Sequence, residues 1–261
     1  MIDIGVNLLH AQFAADRPEV LERAWRAGLR HIVITGTDLE TSAAAADFVG
    51  SAGDERLSAT AGIHPHDAKD APPGWEAALR RLAARPEVVA IGETGLDFNR
   101  DFSPRPVQER LLRGQLALAA ELGLPAFVHD REAGERVAAC LRECADFDAG
   151  VVVHCFTGSA ADLTRYLELG CWIGITGWVC DRHRGEELRR LVPTIPLDRL
   201  MVETDAPFLR PHNAPRDRHG RRNEPALLPY VIRQIAELYG TDERQIAETT
   251  AANARRFFRL S

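Results

Sequence analysis

Short runs of apolar and β-branched residues recur along the chain, and a segment with helical periodicity follows each of them. The runs that predict strands cover residues 1–6, 31–36, 57–63, 88–92, 125–129, 151–155, 171–175 and 199–204. Such alternation is typical of parallel strands connected by helices. Eight units of strand and helix in 261 residues predict an α/β fold of the TIM (β/α)8 barrel type, with a doubly wound open sheet as the alternative.

Several segments between the strands carry the amphipathic spacing of helices and close at a glycine, as helix C-termini commonly do. Three of these predicted helices cover residues 17–28, 107–123 and 160–170. After the eighth run, the sequence predicts an arginine-rich loop at 210–224 and two more helices near 225–239 and 243–258. Because no change of composition, repeat or low-complexity segment marks a linker, we expect one domain over residues 1–261.

The composition is that of an ordinary globular protein, with 45% hydrophobic and 27% charged residues. A formal net charge of −6 at pH 7 argues against a surface coated with nucleic acid, although it is compatible with a local basic site. No basic segment followed by an apolar one marks a targeting signal, and no apolar run approaches the ~18 residues of a membrane span. We therefore expect a cytoplasmic protein that has no membrane partner. We also expect a monomer, because no obvious apolar helix face is left over.

Cysteine and lysine usage limits the chemistry. The five cysteines are an odd number without a C-x-x-C pair, so neither a disulfide framework nor a cysteine zinc site is indicated. Lys69 is the only lysine among 32 basic residues, and any Schiff-base or carbamylated-lysine chemistry would have to use it. The sequence also lacks the G-x-S-x-G, Walker and G-x-G-x-x-G motifs of serine hydrolases, NTPases and dinucleotide-binding proteins.

Residues with ligand chemistry stand at the ends of several predicted strands, where a barrel builds its active face. Glu93 follows the fourth run, His129 and His154 lie in the fifth and sixth, and Asp205 follows the eighth. Two imidazoles and two carboxylates suit Zn²⁺, Mn²⁺ or Mg²⁺, and such an ion lowers the pKa of a bound water and polarises a phosphoryl or carbonyl oxygen. Metal-dependent hydrolysis is therefore the predicted reaction.

Seven motifs are spread over essentially the whole chain: GIHPHD, AIGETGLDFNR, PAFVHDR, VVVHCFTG, GITGWVCDRHRG, MVETDAPFL and RRNEPA. They resemble the successive motifs of the TatD family of metal-dependent nucleases. The resemblance implies a TIM-barrel hydrolase that requires a divalent metal and acts as a 3′-to-5′ exonuclease on single-stranded DNA and RNA. It also implies roles in DNA repair and nucleic-acid degradation.

The resemblance further implies roles for individual residues. Glu93, His129 and His154 match the family's metal-binding residues, and Asp205 matches its catalytic aspartate and is expected to contact metal as well. We predict that Asp205 orients or deprotonates the attacking water, since a carboxylate beside a metal is placed for general-base work. His64 completes the predicted catalytic set with Glu93 and Asp205 and is expected to contact the phosphate or stabilise developing charge. The role of His66 is left open, because a surface or supporting position is an equal alternative.

The first strand departs from the family pattern. Most members carry Asp-x-His-x-His there, with two histidines that hold one of two metals, whereas this chain has Gly5 and Asn7 at those positions. Asp3 remains and is expected to support the site or pack within the strand. Because Mg²⁺ keeps several waters and needs few protein ligands, the expectation shifts towards Mg²⁺, with Mn²⁺ or Zn²⁺ as alternatives and one or two ions bound.

Arginine presents a planar fork to a phosphodiester, so arginines near the rim are candidate phosphate ligands. Arg131 is the first candidate, and Arg222 in the arginine-rich loop is the second. An aromatic face could stack an unpaired base. Trp178 is the preferred candidate for that role over Phe98 and Phe208, for which core packing is the more common fate.

Two other functions stay open. The first is a small-molecule metallo-amidohydrolase, lactonase or phosphotriesterase on the same barrel, which the arginine-rich loop disfavours because a neutral small substrate does not need it. The second is a binding module with a decayed site, suggested by Gly5 and Asn7 and opposed by the retention of Glu93, His129, His154 and Asp205.

Overall fold

The computed structural model describes residues 1–144, 148–215 and 220–260 of the chain. In these residues eight parallel strands pair in sequence order. They are β1 (Ile2–Val6), β2 (His31–Ile34), β3 (Leu57–Ala61), β4 (Val88–Asp97), β5 (Ala126–Arg131), β6 (Val151–His154), β7 (Trp172–Ile175) and β8 (Leu200–Val202). Every one of them overlaps a predicted run.

Backbone contacts between the chain after β8 and β1 close the sheet. Val6 and Ala206 form a parallel bridge. The Asn7 N–H donates to the Ala206 carbonyl at 2.8 Å, and the Asp205 N–H donates to the Gly5 carbonyl at 2.9 Å. The predicted TIM barrel is therefore confirmed, and the open sheet is wrong.

Helices connect the strands and surround the barrel. They are α1 (Arg17–Arg26), α2 (Leu39–Ala52), α3 (Trp75–Ala83), α4 (Arg105–Leu122), α5 (Gly134–Glu143), α6 (Ala160–Glu168), α7 (Glu186–Leu191), α8 (Leu228–Tyr239) and α9 (Glu243–Phe258). The three helices predicted to close at a glycine are α1, α4 and α6. Each ends within two residues of that glycine, and Gly123 after α4 adopts φ 63°, the left-handed conformation that stops a helix without a Cβ clash.

The core has an inner and an outer part. Inside the barrel, Ile2, Phe127 and Met201 pack with one another, and α9 adds Phe257 and Phe258 to the same cluster. A larger cluster fills the space between the strands and the surrounding helices. The strands are buried on both faces, which explains why they appear in the sequence as continuous apolar runs.

Strand β4 is longer than the predicted 88–92, because it runs on to Asp97 beside β5. In the sequence, Gly92 and Gly95 suggest that the strand is interrupted. In the structure they allow close packing. A Cβ at Gly92 would clash with the Phe127 carbonyl, and one at Gly95 with the His129 carbonyl. The two glycines therefore let β5 approach, and the extension carries Glu93 and Asp97 within one strand.

The described residues contain no helix with the length and apolarity needed to cross a membrane. Part of the arginine-rich loop, residues 216–219, lies outside the described residues, and Arg216 and Arg218 lie there with it.

Candidate metal centre

A cavity of about 740 Å³ opens where the carboxyl ends of the strands meet. Its walls include the predicted metal ligands and catalytic residues: Asn7, His64, Glu93, His129, His154 and Asp205. The predicted substrate residues Arg131 and Trp178 line it as well, together with Phe208. The structure thus gathers in one place residues that β1, β3, β4, β5, β6 and β8 deliver separately, as the topology of a barrel requires.

The Glu93 carboxylate is the centre of this cavity's polar cluster. Its Oε1 atom lies 2.7 Å from His154 Nε2, 3.0 Å from His129 Nδ1 and 3.2 Å from His64 Nε2. Adjacent strands bring these groups together, since β4 pairs with β5 and His129 pairs in register with His154. Three imidazoles therefore converge on one buried carboxylate oxygen.

Charge pairing within the cluster determines which groups are ionised. Burial alone would raise the pKa of Glu93, but the imidazole charges, above all that of His154, hold it well below its ordinary value. Burial alone would lower the pKa of His154, yet Glu93 and Glu203 raise it well above the usual range. Burial alone would also lower the pKa of His129, but the neighbouring carboxylates of Asp97 and Glu93 raise it. Glu93 is thus a carboxylate, the form that binds a cation.

His64 differs from the other two imidazoles. Burial lowers its pKa to about 4, although Glu93 acts in the opposite direction. The His64 Nδ1 atom accepts the His66 N–H at 3.1 Å, so the remaining proton of the neutral ring lies on Nε2. This N–H faces the cavity beside Glu93 and can donate a hydrogen bond there.

Asp97 is a functional candidate that the sequence reasoning missed. Its side chain is fully buried, and its Oδ2 atom lies 2.7 Å from His66 Nε2 and 3.6 Å from His129 Nε2. His66, whose role the sequence left open, is therefore bound to this carboxylate. The available signal was spacing, because residues four apart in a strand project on the same side, and Asp97 is four residues after Glu93.

Glu203 is a second candidate that the sequence reasoning missed. It is fully buried, its Oε1 atom accepts the Cys155 N–H at 2.6 Å, and its Oε2 atom lies 3.3 Å from His154 Nδ1. Spacing was again the available signal, because Glu203 stands two residues before Asp205. Residues two apart in an extended chain project on the same side. Glu93 and Glu203 together bind both nitrogens of the His154 ring.

Space for Glu203 explains the glycine in β1. A Cβ at Gly5 would clash with Glu203 Oε2 and touch the Phe127 ring, and a Cβ at Gly174 would clash with Glu203 Oε1. The space beside Gly5 is therefore filled by a carboxylate that reaches in from beyond β8. Asp3 lies next to this group, where its Oδ1 accepts the Thr204 N–H at 2.9 Å.

Among the described residues, the Asp205 side chain accepts a hydrogen bond from one other side chain. Asn7 donates from Nδ2 to Asp205 Oδ1 at 3.0 Å, and Asp205 itself adopts φ 52°. Burial raises the pKa of Asp205 to about 7, although the charge on His154 lowers it. A carboxyl group that titrates near neutrality can take up a proton during a reaction at that pH.

Arg131 and Trp178 form one wall of the cavity. Arg131 Nη1 donates to Thr157 Oγ1 at 2.7 Å, and its Cζ atom lies 5.0 Å from the centre of the Trp178 ring. The Cζ atom of Arg184 lies 4.5 Å from the same ring centre. Trp178 thus already carries two guanidinium groups, a favourable arrangement for cations on an aromatic face.

Arg222 does not belong to the cavity lining. Its side chain is 12% exposed and forms ion pairs with Asp16 at 2.7 Å and Glu224 at 2.6 Å. Arg23 joins the network through Asp16 and Glu224. These pairs connect α1 to the chain beyond β8.

The cluster around Glu93 fits a divalent metal ion. Among the described residues, the ligand atoms of His64, Glu93 and His129 all lie within 4.8 Å of one another. His154 Nε2 and His129 Nδ1 both contact one oxygen of Glu93. Buried nitrogen and oxygen donors that converge in this way are what a divalent ion requires, and the absence of a thiolate among them leaves Mg²⁺, Mn²⁺ and Zn²⁺ as suitable ions.

Comparisons with known proteins agree with this geometry. Residues 2–259 match the family described as "TatD related DNase". A protein of Rahnella sp. (strain Y9602) named "3′-5′ ssDNA/RNA exonuclease TatD" is 51% identical over 261 residues, covering 100% of this chain and 99% of the relative. A protein of the same name from Erwinia tasmaniensis is 49% identical over 260 residues and 100% of both chains. The crystal structure of a TatD homologue from Escherichia coli K12 superposes with a TM-score of 0.90 at 28% identity, covering 100% of this chain and 98% of that one.

Proposed function

The chain belongs to the family of TatD-related DNases, and from this premise we propose that it is a metal-dependent 3′-to-5′ exonuclease of single-stranded DNA and RNA. The observation that carries the proposal is the convergence of His64, His129 and His154 on the Glu93 carboxylate at the carboxyl ends of the strands. Its reaction is the hydrolysis of phosphodiester bonds.

Glu93, His129 and His154 would hold the metal, with Asp205 beside them. The chemistry that a divalent ion supplies when bound there is polarisation of a phosphoryl oxygen and a lower pKa for water. We propose Mg²⁺ as the ion, since it needs few protein ligands, while imidazole donors also suit Mn²⁺ and Zn²⁺.

Asp205 acts on the attacking water. Asn7 fixes the position of its carboxylate through the hydrogen bond to Oδ1, so that the group is placed to take the proton from water. His64, neutral and with its N–H on Nε2, donates to a phosphate oxygen as negative charge develops.

Asp97 and Glu203 act as positioning residues. Asp97 lies behind His129 and His66, and Glu203 lies behind His154, so each fixes the orientation of an imidazole ring. Carboxylates behind metal-binding imidazoles fix the ring's tautomer and raise its basicity.

The phosphate backbone is held by Arg131, which lines the cavity together with Arg100 and Arg184. Arg222 stays a predicted phosphate ligand, and binding there requires it to leave its ion pairs with Asp16 and Glu224. A cavity at a barrel mouth admits an unpaired strand end more readily than a duplex.

Further expectations belong to the same proposal. The single domain, the monomeric state and a role in DNA repair stay predictions. A cytoplasmic location also stays a prediction, supported by the five cysteines, which are all free thiols.

The test is degradation of a 5′-labelled single strand of DNA or RNA, compared with a duplex of the same sequence and with a lactone and a phosphotriester. Products that shorten from the 3′ end, with the duplex and the small molecules left intact, support the exonuclease. Hydrolysis of the lactone or the phosphotriester alone would replace it with the small-molecule hydrolase.

A further inference from the structure

Two aromatic side chains stand out on the described surface. Phe208, 46% exposed, and Phe102, 57% exposed, are the exposed large hydrophobic residues of the described chain. Phe208 lines the cavity, Phe102 lies beside its wall, and each ring packs edge-on against a histidine that lines the cavity. The Phe208 ring centre is 5.4 Å from that of His10, and the Phe102 ring centre is 4.8 Å from that of His66.

The backbone that carries Phe208 is fixed even though the ring is exposed. Its N–H donates to the Asp205 carbonyl at 3.0 Å, and the preceding Pro207 carbonyl accepts the Asn223 N–H at 3.0 Å. The Leu209 carbonyl that follows packs so closely on Gly177 that a Cβ there would clash. The ring is therefore presented to the cavity three residues after Asp205, on a loop that does not have to become ordered first.

The backbone beside Phe102 is anchored in a similar way. Ser103 Oγ donates to the His66 carbonyl at 2.8 Å and accepts the Lys69 N–H at 3.0 Å. Phe102 follows β4 and Phe208 follows β8, and these strands are four apart in the barrel order, so the two rings lie in separate sectors of this end of the barrel.

Exposed aromatic rings beside a phosphodiester site have the chemistry to bind nucleobases. A base in a single strand has free faces, whereas a base in a duplex is already stacked on its neighbours. Stacking is also tolerant of sequence, because every base has an aromatic face. Trp178, the residue that the sequence favoured for this role, already carries the guanidinium groups of Arg131 and Arg184.

We propose that Phe208 is a stacking platform for the base of a nucleotide next to the scissile phosphate, and that Phe102 is a second platform for a base farther along the same strand. The proposal rests on the nuclease function proposed above. In this proposal, base stacking at the cavity mouth explains why the protein prefers single strands over duplexes. It also explains why the protein has no preference for a particular base sequence.

The first test compares Phe208→Ala, Phe208→Leu and Phe208→Tyr with the wild-type protein on a single-stranded oligonucleotide. Loss of one stacked base is expected to raise KM about fivefold to 100-fold in the Ala and Leu variants, with a smaller change in kcat. The Tyr variant keeps an aromatic face and should stay near the wild type. The Leu variant keeps apolar bulk, and thermal melting of all three shows whether they are folded.

The second test places one abasic nucleotide at successive positions from the 3′ end. The wild-type protein should lose affinity at the stacked positions, and Phe208→Ala should show no further loss at one of them. Phe102→Ala should show the same insensitivity at a different position.

The outcomes separate this inference from the function on which it rests. The stacking platform alone would be overturned if the wild-type protein degrades the strand and Phe208→Ala has the same KM. It would also be overturned if Phe208→Ala loses as much affinity as the wild type at every abasic position. A folded wild-type protein that leaves the strand intact with metal present would overturn both.

Discussion

Gly5 in β1 and Glu203 after β8 occupy complementary space, because a Cβ on Gly5 would overlap the Oε2 atom of Glu203. The glutamate in turn binds His154 Nδ1 and the Cys155 N–H. The glycine in β1 therefore leaves room for a buried carboxylate that stands behind the His154 imidazole.

This packing predicts that Gly5→Ala damages both stability and activity. Overpacking of a full core costs about 1–3 kcal/mol of unfolding free energy, and displacement of Glu203 loosens His154. Urea denaturation and the rate of strand degradation measure the two effects. Combining Gly5→Ala with Glu203→Asp, whose shorter side chain can withdraw, should recover part of the stability. A Gly5→Ala protein as stable and active as the wild type would show that the contact is unimportant.

Asp97 is predicted to hold His129 ready for metal. Asp97→Asn keeps the size of the side chain but removes its charge, and loss of such a partner lowers metal affinity about 10-fold to 100-fold. Competition with a chromogenic chelator measures the affinity. Asp101→Asn is the matched control, since Asp101 is exposed and pairs with Arg105 on the surface. Equal metal affinity in the two variants would show that Asp97 does not support the metal site.

Asn7 is predicted to position Asp205 rather than to bind substrate. Asn7→Ala removes the hydrogen bond to a group that must take up a proton, so kcat should fall about tenfold or more while KM changes little. Steady-state kinetics on a single strand separates the two constants. Asn99→Ala is the control, because Asn99 also lines the cavity but donates to Glu132. A rise in KM alone would assign Asn7 to substrate binding.

Asp3 is predicted to make stability fall as the pH rises. Burial raises its pKa from the ordinary 3.8 to about 8, although hydrogen bonds from Thr204 act in the opposite direction. The folded protein therefore keeps a proton that the unfolded chain releases. The resulting stabilisation is complete below about pH 4 and is lost by about pH 8, with a slope of at most about 1.4 kcal/mol per pH unit.

Asp3→Asn isolates this effect, since the amide stays neutral and can still accept the Thr204 N–H. The free energy of unfolding of the variant, relative to the wild type, should rise between about pH 4 and about pH 8 in urea denaturation. A difference that is constant over this range would mean that Asp3 is ionised in the folded protein.

The barrel could be predicted because parallel strands buried on both faces leave continuous apolar runs in the sequence. The end of β4 could not be predicted, because Gly92 and Gly95 suggest that the strand is interrupted. In the structure these glycines let β5 approach, and β5 is distant in the sequence. A local sequence pattern indicates which positions are buried and whether the spacing is that of a helix or a strand. It does not indicate which other segment of backbone packs beside it.

The candidate site, too, could be predicted in part. Glu93, His129, His154 and Asp205 could be predicted to meet, because each stands at or just beyond the end of a predicted strand and parallel strands end at one rim. Glu203 acts from behind an imidazole, and its contact depends on the register of β6 and on the space beside Gly5. The arrangement of such supporting residues is a property of packing, which a single sequence does not report.

The most direct test of the metal-dependent nuclease is reconstitution of metal-stripped protein with Mg²⁺, Mn²⁺ or Zn²⁺ on 5′-labelled single-stranded DNA. Glu93→Ala is compared with Glu121→Ala, which removes an exposed glutamate on the outer surface of α4. We expect metal to restore a ladder that shortens from the 3′ end in the wild type and in Glu121→Ala, and neither metal binding nor a ladder in a folded Glu93→Ala protein. Degradation by the stripped protein without metal, or by Glu93→Ala at the wild-type rate, would contradict the account.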